Sequence, residues 1–91
     1  GPDPVGLDEF NSRLVFNVFP NPVKNKLKIE IEDSEKHSFE VSVYDIQGKL
    51  VWKGSLAKSK NEINVRELSP GVYVLQLENN ESLSRKKFVK D

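Results

Sequence analysis

Short runs in which apolar and polar residues alternate recur along the whole chain. In residues 39–43, Phe39, Val41 and Val43 alternate with polar residues, which is the pattern of a strand that buries one face. Residues 26–32 do the same, with apolar side chains on one face and charges on the other. No stretch repeats apolar residues with a 3.6-residue period over helical length. The chain is therefore predicted to be all-β.

Seven such runs are predicted as strands, at residues 14–19, 26–32, 39–44, 50–52, 62–65, 72–77 and 83–89. Turn residues separate them, among them Pro70-Gly71 and Asn79-Asn80. Residues 72–77 are apolar on both faces, as expected of a central strand. A strand about every ten residues is typical of a sandwich or barrel. We predict one antiparallel β-sandwich over residues 14–91.

The hairpin of residues 39–52 is predicted to be the centre of the core. Asp45 can accept a hydrogen bond from a backbone amide two residues on, and Gly48 can adopt a positive φ. These residues predict a type I turn closed by a glycine bulge, which fixes the register of the two strands locally. Trp52, the one tryptophan, adds a large apolar side chain to this unit.

Length and charge limit the classes of function. A chain of 91 residues can form one domain with one modest core. Its 14 basic and 14 acidic residues cancel, so the overall basic charge expected of a nucleic-acid-binding protein is absent. No apolar run is long enough to cross a membrane.

Residues 1–13 show no periodicity and are predicted to be a linker or a poorly ordered arm, where a larger protein would be joined on the N-terminal side. Gly1-Pro2 resembles the scar of a protease cut after recombinant expression. Methionine is absent from the sequence, which favours a fragment or a processed piece of a longer protein.

Candidate chemistry is sparse. The single histidine, His37, sits beside a charged turn with no carboxylate arranged to orient it, so a solvated surface role is preferred. A group of carboxylates lacks the spacing and glycine of a calcium loop: Glu30, Glu32, Asp33 and Glu35. With no cysteine, a thiolate site is excluded. No catalytic residue, metal ligand or cofactor is predicted.

Three features admit both a structural and a functional interpretation. Pro20-Asn21-Pro22 can end a strand, and residues 45–48 are explained as a turn. A basic cluster near the C-terminus can be a solvated edge that resists aggregation, or a positive patch that docks an acidic receptor: Arg85, Lys86, Lys87 and Lys90.

Taken in order, these pieces resemble the C-terminal sorting domain (type A signal) of proteins exported by the type IX secretion system of Bacteroidota. The family pattern is matched by four segments: Phe19-Pro20-Asn21-Pro22 with Leu27 and Ile29, Tyr44-Asp45-Ile46-Gln47-Gly48-Lys49-Leu50-Val51, Leu68-Ser69-Pro70-Gly71-Val72-Tyr73-Val74-Leu75 and Lys86-Lys87-Phe88-Val89-Lys90. Each motif alone is weak, but four in this order and spacing are a strong signal. The recognition residues implied are Pro20, Asn21, Pro22, Asp45, Gly48, Gly71, Tyr73, Arg85, Lys86, Lys87 and Lys90.

The resemblance implies an immunoglobulin-like sandwich that serves as an export address and catalyses nothing. Its partners would be the type IX translocon, an outer-membrane shuttle barrel and a cell-surface sortase that removes the domain from its cargo. The protein would pass through the periplasm and then reach the outer-membrane surface or the medium. On this basis the hairpin is expected to secure the fold, and the last strand and its lysines to present the address.

The main alternative is an immunoglobulin- or fibronectin-like accessory domain that binds carbohydrate or protein for a surface enzyme or adhesin. It would need exposed aromatic rings, for which Trp52 and Tyr73 are the candidates. A sandwich with an open last strand could also form an edge-paired or strand-swapped dimer.

Overall fold

Seven strands form two antiparallel sheets in the computed structural model, which describes residues 15–31, 38–56, 61–80 and 82–91. The strands are β1 (Phe16–Phe19), β2 (Lys26–Ile31), β3 (Phe39–Asp45), β4 (Leu50–Leu56), β5 (Glu62–Asn64), β6 (Gly71–Glu78) and β7 (Leu83–Lys90). One sheet has the order β1-β2-β5 and the other the order β4-β3-β6-β7. The predicted all-β, seven-stranded sandwich is confirmed.

The strand order is that of an immunoglobulin-like sandwich. β5 returns to pair with β2, and β6 returns to pair with β3, so the chain crosses between the sheets twice after β4. β4 pairs with β3 in the four-stranded sheet, whereas the fourth strand of a constant-type immunoglobulin domain joins the opposite sheet. β3 and β6 are thus the two central strands, as the apolar sequence of β6 predicts.

The core lies between the sheets and is built from alternate residues of the strands together with Val23 and Val65, which lie outside the strands. The fully buried side chains are Val23, Leu27, Ile29, Val41, Val43, Val65, Leu75, Leu77 and Phe88. Burial of one large apolar side chain contributes about 1.5–3 kcal/mol to folding. In β2 the predicted alternation is confirmed at Leu27 and Ile29, while Ile31 at its end is half-buried. In the first predicted strand, Leu14 lies outside the described residues.

The β3–β4 turn has the geometry that its sequence predicts. The Gly48 amide donates to the Asp45 carbonyl oxygen at 3.0 Å, and the Asp45 amide donates to the Lys49 carbonyl oxygen at 2.9 Å. Asp45 Oδ1 accepts the amides of Gln47 and Lys49, both at 2.9 Å. Gly48 has φ +87°, the left-handed conformation of a glycine bulge. The predicted type I turn with a glycine bulge is confirmed.

β4 continues beyond the predicted end of the hairpin at Trp52 as far as Leu56. An irregularity between Val43 and Tyr44 inserts one extra residue into β4. The ring of Trp52 is half-buried and lies over Gly54, where an added Cβ would stand 2.5 Å from the ring. Gly54 therefore leaves the space that lets the ring cover this part of the sheet.

The turn between β6 and β7 is two residues longer than the predicted Asn79-Asn80 turn. The Asn79 amide donates to the Ser82 carbonyl oxygen at 2.9 Å, and the Ser82 amide donates to Asn79 Oδ1 at 2.8 Å. The side chain of Asn79 therefore closes a turn that ends at Ser82.

Candidate functional site

Three loops lie at the same end of the sandwich as the C-terminal end of β7. Asp45, the last residue of β3, pairs with Tyr73 of β6. Gly71, the first residue of β6, pairs with Lys90 of β7, and Val23 of the β1–β2 loop bridges to Lys90. We call this region the motif end; it comprises residues 20–25, 46–49, 65–70 and 88–91.

Segments of all four sequence motifs meet at the motif end, although they are up to 70 positions apart in the chain. The predicted site residues that the structure places at or next to it are Pro20, Asn21, Pro22, Asp45, Gly48, Gly71, Tyr73 and Lys90. Arg85, Lys86 and Lys87 lie further back along β7, opposite residues 74–76 of β6. The structure thus separates the predicted site into a motif end and a basic stretch of strand.

The Pro20-Asn21-Pro22 segment binds the end of β7. Both of its prolines follow cis peptide bonds. Asn21 Oδ1 accepts the Val89 amide at 2.8 Å, and the Val23 amide donates to the Val89 carbonyl oxygen at 2.8 Å. The Asp91 amide donates to the Val23 carbonyl oxygen at 2.8 Å. We call these contacts between residues 21–24 and 89–91 the clasp; it joins the first and last motifs of the family pattern.

The clasp also connects the two sheets. Val23 is fully buried, and two residues later the Asn25 carbonyl oxygen accepts the Val65 amide at 2.8 Å. The same loop therefore contacts the end of β7 in one sheet and the residue that follows β5 in the other. Within the clasp, an ion pair of 3.1 Å joins Lys24 Nζ to Asp91 Oδ2, but because both side chains are largely exposed it adds little stability.

We expect Asn21→Ala to loosen the clasp. The substitution removes the acceptor of the Val89 amide, and an exposed hydrogen bond of this kind contributes about 0.5–1.5 kcal/mol. Amide hydrogen exchange should show faster exchange at Val89, with a small drop in the free energy of unfolding. Asn21→Asp keeps the acceptor oxygen and should retain the slow exchange. Equal exchange in the wild type and the alanine variant would contradict the assigned bond.

The third motif forms a tyrosine corner. The Tyr73 hydroxyl donates to the Ser69 carbonyl oxygen at 2.6 Å, which ties the start of β6 to the preceding loop. Its buried ring stacks on Phe88 of β7, with centroids 5.7 Å apart and an angle of 22° between the planes. Gly71 has φ +155°, a conformation that residues with a Cβ rarely adopt. The glycine and the tyrosine of this motif therefore have structural roles.

We expect Tyr73→Phe to lower the free energy of unfolding by about 1 kcal/mol, because the ring remains in place and only the hydrogen bond to Ser69 is lost. Tyr44→Phe is the matched control, since the Tyr44 hydroxyl makes no hydrogen bond to a residue that the structure describes. Chemical denaturation of the two variants measures the difference. Equal losses in both would show that the corner bond contributes nothing.

The basic cluster on β7 is divided between the two faces of its sheet. Arg85 lies on the outer face, where its Nε donates to Gln76 Oε1 at 2.9 Å, and Lys87 shares that face because strand residues alternate. Lys86 shares the inner face with Phe88. All three cations are exposed. Lys90, also on the inner face, is only 7% exposed, and its Nζ donates to the Asp91 carbonyl oxygen at 3.3 Å.

Lys90 is therefore unlike the other three predicted cations, because its buried position limits its access to a receptor. The sequence could have indicated that Lys90 faces inward, since residues two apart in a strand share a face and Lys90 lies two residues after the apolar Phe88. Val23 was also missed by the sequence interpretation. The one available signal was an isolated apolar residue between Pro22 and Lys24.

Large apolar side chains are exposed around the motif end. Ile46, at the tip of the β3–β4 turn, is 77% exposed. Val72 and Val89 are exposed and face each other across β6 and β7. Leu50 and Phe19, which flank the turn and the proline segment, are exposed as well. These side chains offer apolar contact area to another molecule at this end of the sandwich.

Features needed for other functions are few in the part of the chain that the structure describes. No three acidic, histidine or cysteine side chains are placed to hold a metal there, and His37 lies outside it. A cleft of about 1210 Å³ beside β4 and β5 is lined by the half-buried Trp52 and the buried Phe39. The described residues contain no helix that is long and apolar enough to cross a membrane.

A family model described as the secretion system C-terminal sorting domain matches residues 17–91. The match covers most of the chain, from the second residue of β1 to the C-terminus, and so includes the clasp, the hairpin turn, the tyrosine corner and β7. The chain belongs to this family of sorting domains. A comparison with curated proteins gives no match.

A sorting domain of this family is a secretion signal, so its surface acts through binding to secretion machinery. The family is a signal domain and not a catalytic one. A secretion signal also implies a cargo chain and an exported or surface-associated product. The resemblance carried by the four motifs is therefore confirmed.

Proposed function

We propose that the sorting domain directs an upstream cargo through the type IX secretion system. The motif end would be bound first by the translocon in the periplasm, and the domain would then pass to an outer-membrane shuttle barrel. A surface sortase would cut within residues 3–13. The cargo would finish at the outer-membrane surface or in the medium.

The observation that carries this proposal is the meeting of the four motifs at the motif end. Asp45, Gly48, Gly71 and Tyr73 are accounted for by turn and corner geometry. Their role in export would therefore be to hold the loops in position. Exposed apolar side chains such as Ile46 and Val89 would make the contacts with the translocon.

The proposal is tested by fusing residues 1–91 to the C-terminus of a periplasm-directed fluorescent reporter in a bacterium with type IX secretion. Reporter fluorescence is expected at the cell surface or in the medium. In a strain that lacks the translocon, the reporter is expected to remain in the periplasm. N-terminal sequencing of the released domain would locate the cut. Periplasmic retention in the secreting strain would overturn the proposal.

The alternative accessory domain depends on exposed aromatic rings. Trp52 is half-buried against Gly54, and Tyr73 is buried and stacked on Phe88. A pair of exposed rings involving these two residues is not present in the described parts of the chain. No observation here favours carbohydrate binding over sorting.

A further inference from the structure

Part of the outer edge of β7 makes no backbone hydrogen bond to any residue that the structure describes. The amide and carbonyl of Val89 point away from β6, because they bind Asn21 and Val23. In an antiparallel ladder the backbone groups of alternate residues point the same way, so those of Arg85 and Lys87 also face outward. No described residue binds these groups. The clasp covers the end of the edge and stops at Val89.

The open edge is strongly basic on both of its faces. The side chains of Arg85 and Lys87 project from the outer face of the sheet, and that of Lys86 from the inner face. A strand that paired here would place its own side chains opposite these cations. Acidic side chains on that strand would gain cross-strand attraction on either face.

We propose that β7 binds an extended, acidic segment of the secretion machinery, which adds to the four-stranded sheet as a fifth strand along residues 83–87. Main-chain hydrogen bonds to Arg85 and Lys87 would supply affinity, and opposite charges would supply selectivity. This inference rests on the proposed function, since it names the chemistry of a partner within that machinery.

The clasp supports strand addition at this edge. Residues 21–23 already lie beside β7 and form a parallel bridge at its end. A partner strand along residues 83–87 would continue the row that these residues begin. The edge thus accepts a neighbouring backbone at one end and has open groups in the adjoining stretch.

A second copy of the sorting domain is a poor occupant of the same edge. Pairing two β7 strands would set arginine and lysine side chains against one another, and like charges opposite each other across strands are destabilising. The edge-paired dimer expected from the sequence is therefore disfavoured at β7. Lysines on an edge also discourage unselective pairing, which leaves an acidic strand as the matching partner.

Proline substitution can test the open edge of β7 while the rest of the fold is kept. Lys87→Pro removes an outward amide and no donor of the β6 ladder, because Lys86 and Phe88 are the residues that bind β6, and proline is tolerated where the amide of an edge strand points outward. Lys53→Pro is the matched control. Lys53 lies on β4, the other edge of the same sheet, and its amide also points outward, because Trp52 and Gly54 are the residues that bind β3.

The probe is the capped peptide Thr-Glu-Val-Glu-Val-Glu-Thr, with a version carrying lysine in place of glutamate as its comparison. In NMR titrations of the 91-residue chain, the acidic peptide should slow amide exchange at Arg85 and Lys87 and bind more weakly as salt increases. Lys87→Pro should weaken binding about tenfold and Lys53→Pro should not. No binding, equal weakening by both prolines, equal binding of the lysine peptide, or β7 shifts that appear with protein concentration alone would overturn the proposal.

If either proline variant fails to fold, Lys87→Glu and Lys53→Glu replace the pair, with the same expected order of affinities. The reporter fusion then connects binding to export. Wild type and Lys53→Pro should be exported and Lys87→Pro retained. Export of all three would overturn the strand-addition site while the sorting function stands, whereas retention of the wild type would overturn the proposed function itself.

Discussion

Replacing Phe88 with alanine is expected to lower the free energy of unfolding by about 3–5 kcal/mol, the range for deleting a buried aromatic side chain. Phe88 is fully buried and stacks on Tyr73, so the substitution leaves a cavity in the core between the two sheets and removes a ring contact. Small domains have a total stability of about 5–15 kcal/mol, so the loss is a large fraction of it. Thermal and chemical denaturation measure the change.

Lys86→Ala is the matched control for this prediction, since Lys86 is exposed on the same strand and its replacement should change stability by less than about 0.5 kcal/mol. A Phe88→Ala variant as stable as the control would contradict the described core. The same reasoning affects truncation experiments. Deleting residues 85–91 would remove Phe88 with the cations, so a resulting export defect would not identify the lysines as the signal.

Replacing Gly48 with valine is expected to cost about 1–3 kcal/mol, because a β-branched residue is strained at a left-handed φ of +87°. No atom stands within 4 Å of the position where a Cβ would be placed, so the cost comes from the backbone conformation alone. Chemical denaturation should show the loss, and export of a reporter fusion should fall in parallel.

Gly48→Asn distinguishes a structural role of this turn from direct recognition of the turn by the secretion machinery. Asparagine adopts left-handed conformations more readily than valine, so its loss of stability should be smaller. If export follows stability across both variants, the turn acts by holding the hairpin together. An export defect at unchanged stability would instead show that the secretion machinery contacts the turn.

Local chemistry made the hairpin predictable. The two residues that define the turn, Asp45 and Gly48, lie three positions apart, and the hydrogen bonds they make close within five residues. Alternation in β2 and β3 likewise reports which face is buried, since period 2 follows from strand geometry. The family resemblance rests on such short segments, and the seven-stranded sandwich that it implies was found.

The clasp was not predictable from local pattern. Its hydrogen bonds join Asn21 to Val89, 68 positions apart, and Val23 has no alternating neighbours to indicate that it is buried. The proline segment was interpreted as the end of a strand, which it is, but its second role depends on how β1 and β7 are brought together by the whole fold. The division of the basic cluster between two faces arises in the same way, from the inward position of Phe88.

The direction of β1 determines at which end of the sandwich an upstream cargo would be attached. β1 runs toward the motif end, parallel to β7, so the chain enters the sandwich at the opposite pole. A folded passenger that precedes residue 15 would be tethered at that rear pole, away from the motif end. The point of attachment and the motif end would then lie at opposite ends of the sandwich, so the cargo would not be joined beside the surface that meets a receptor.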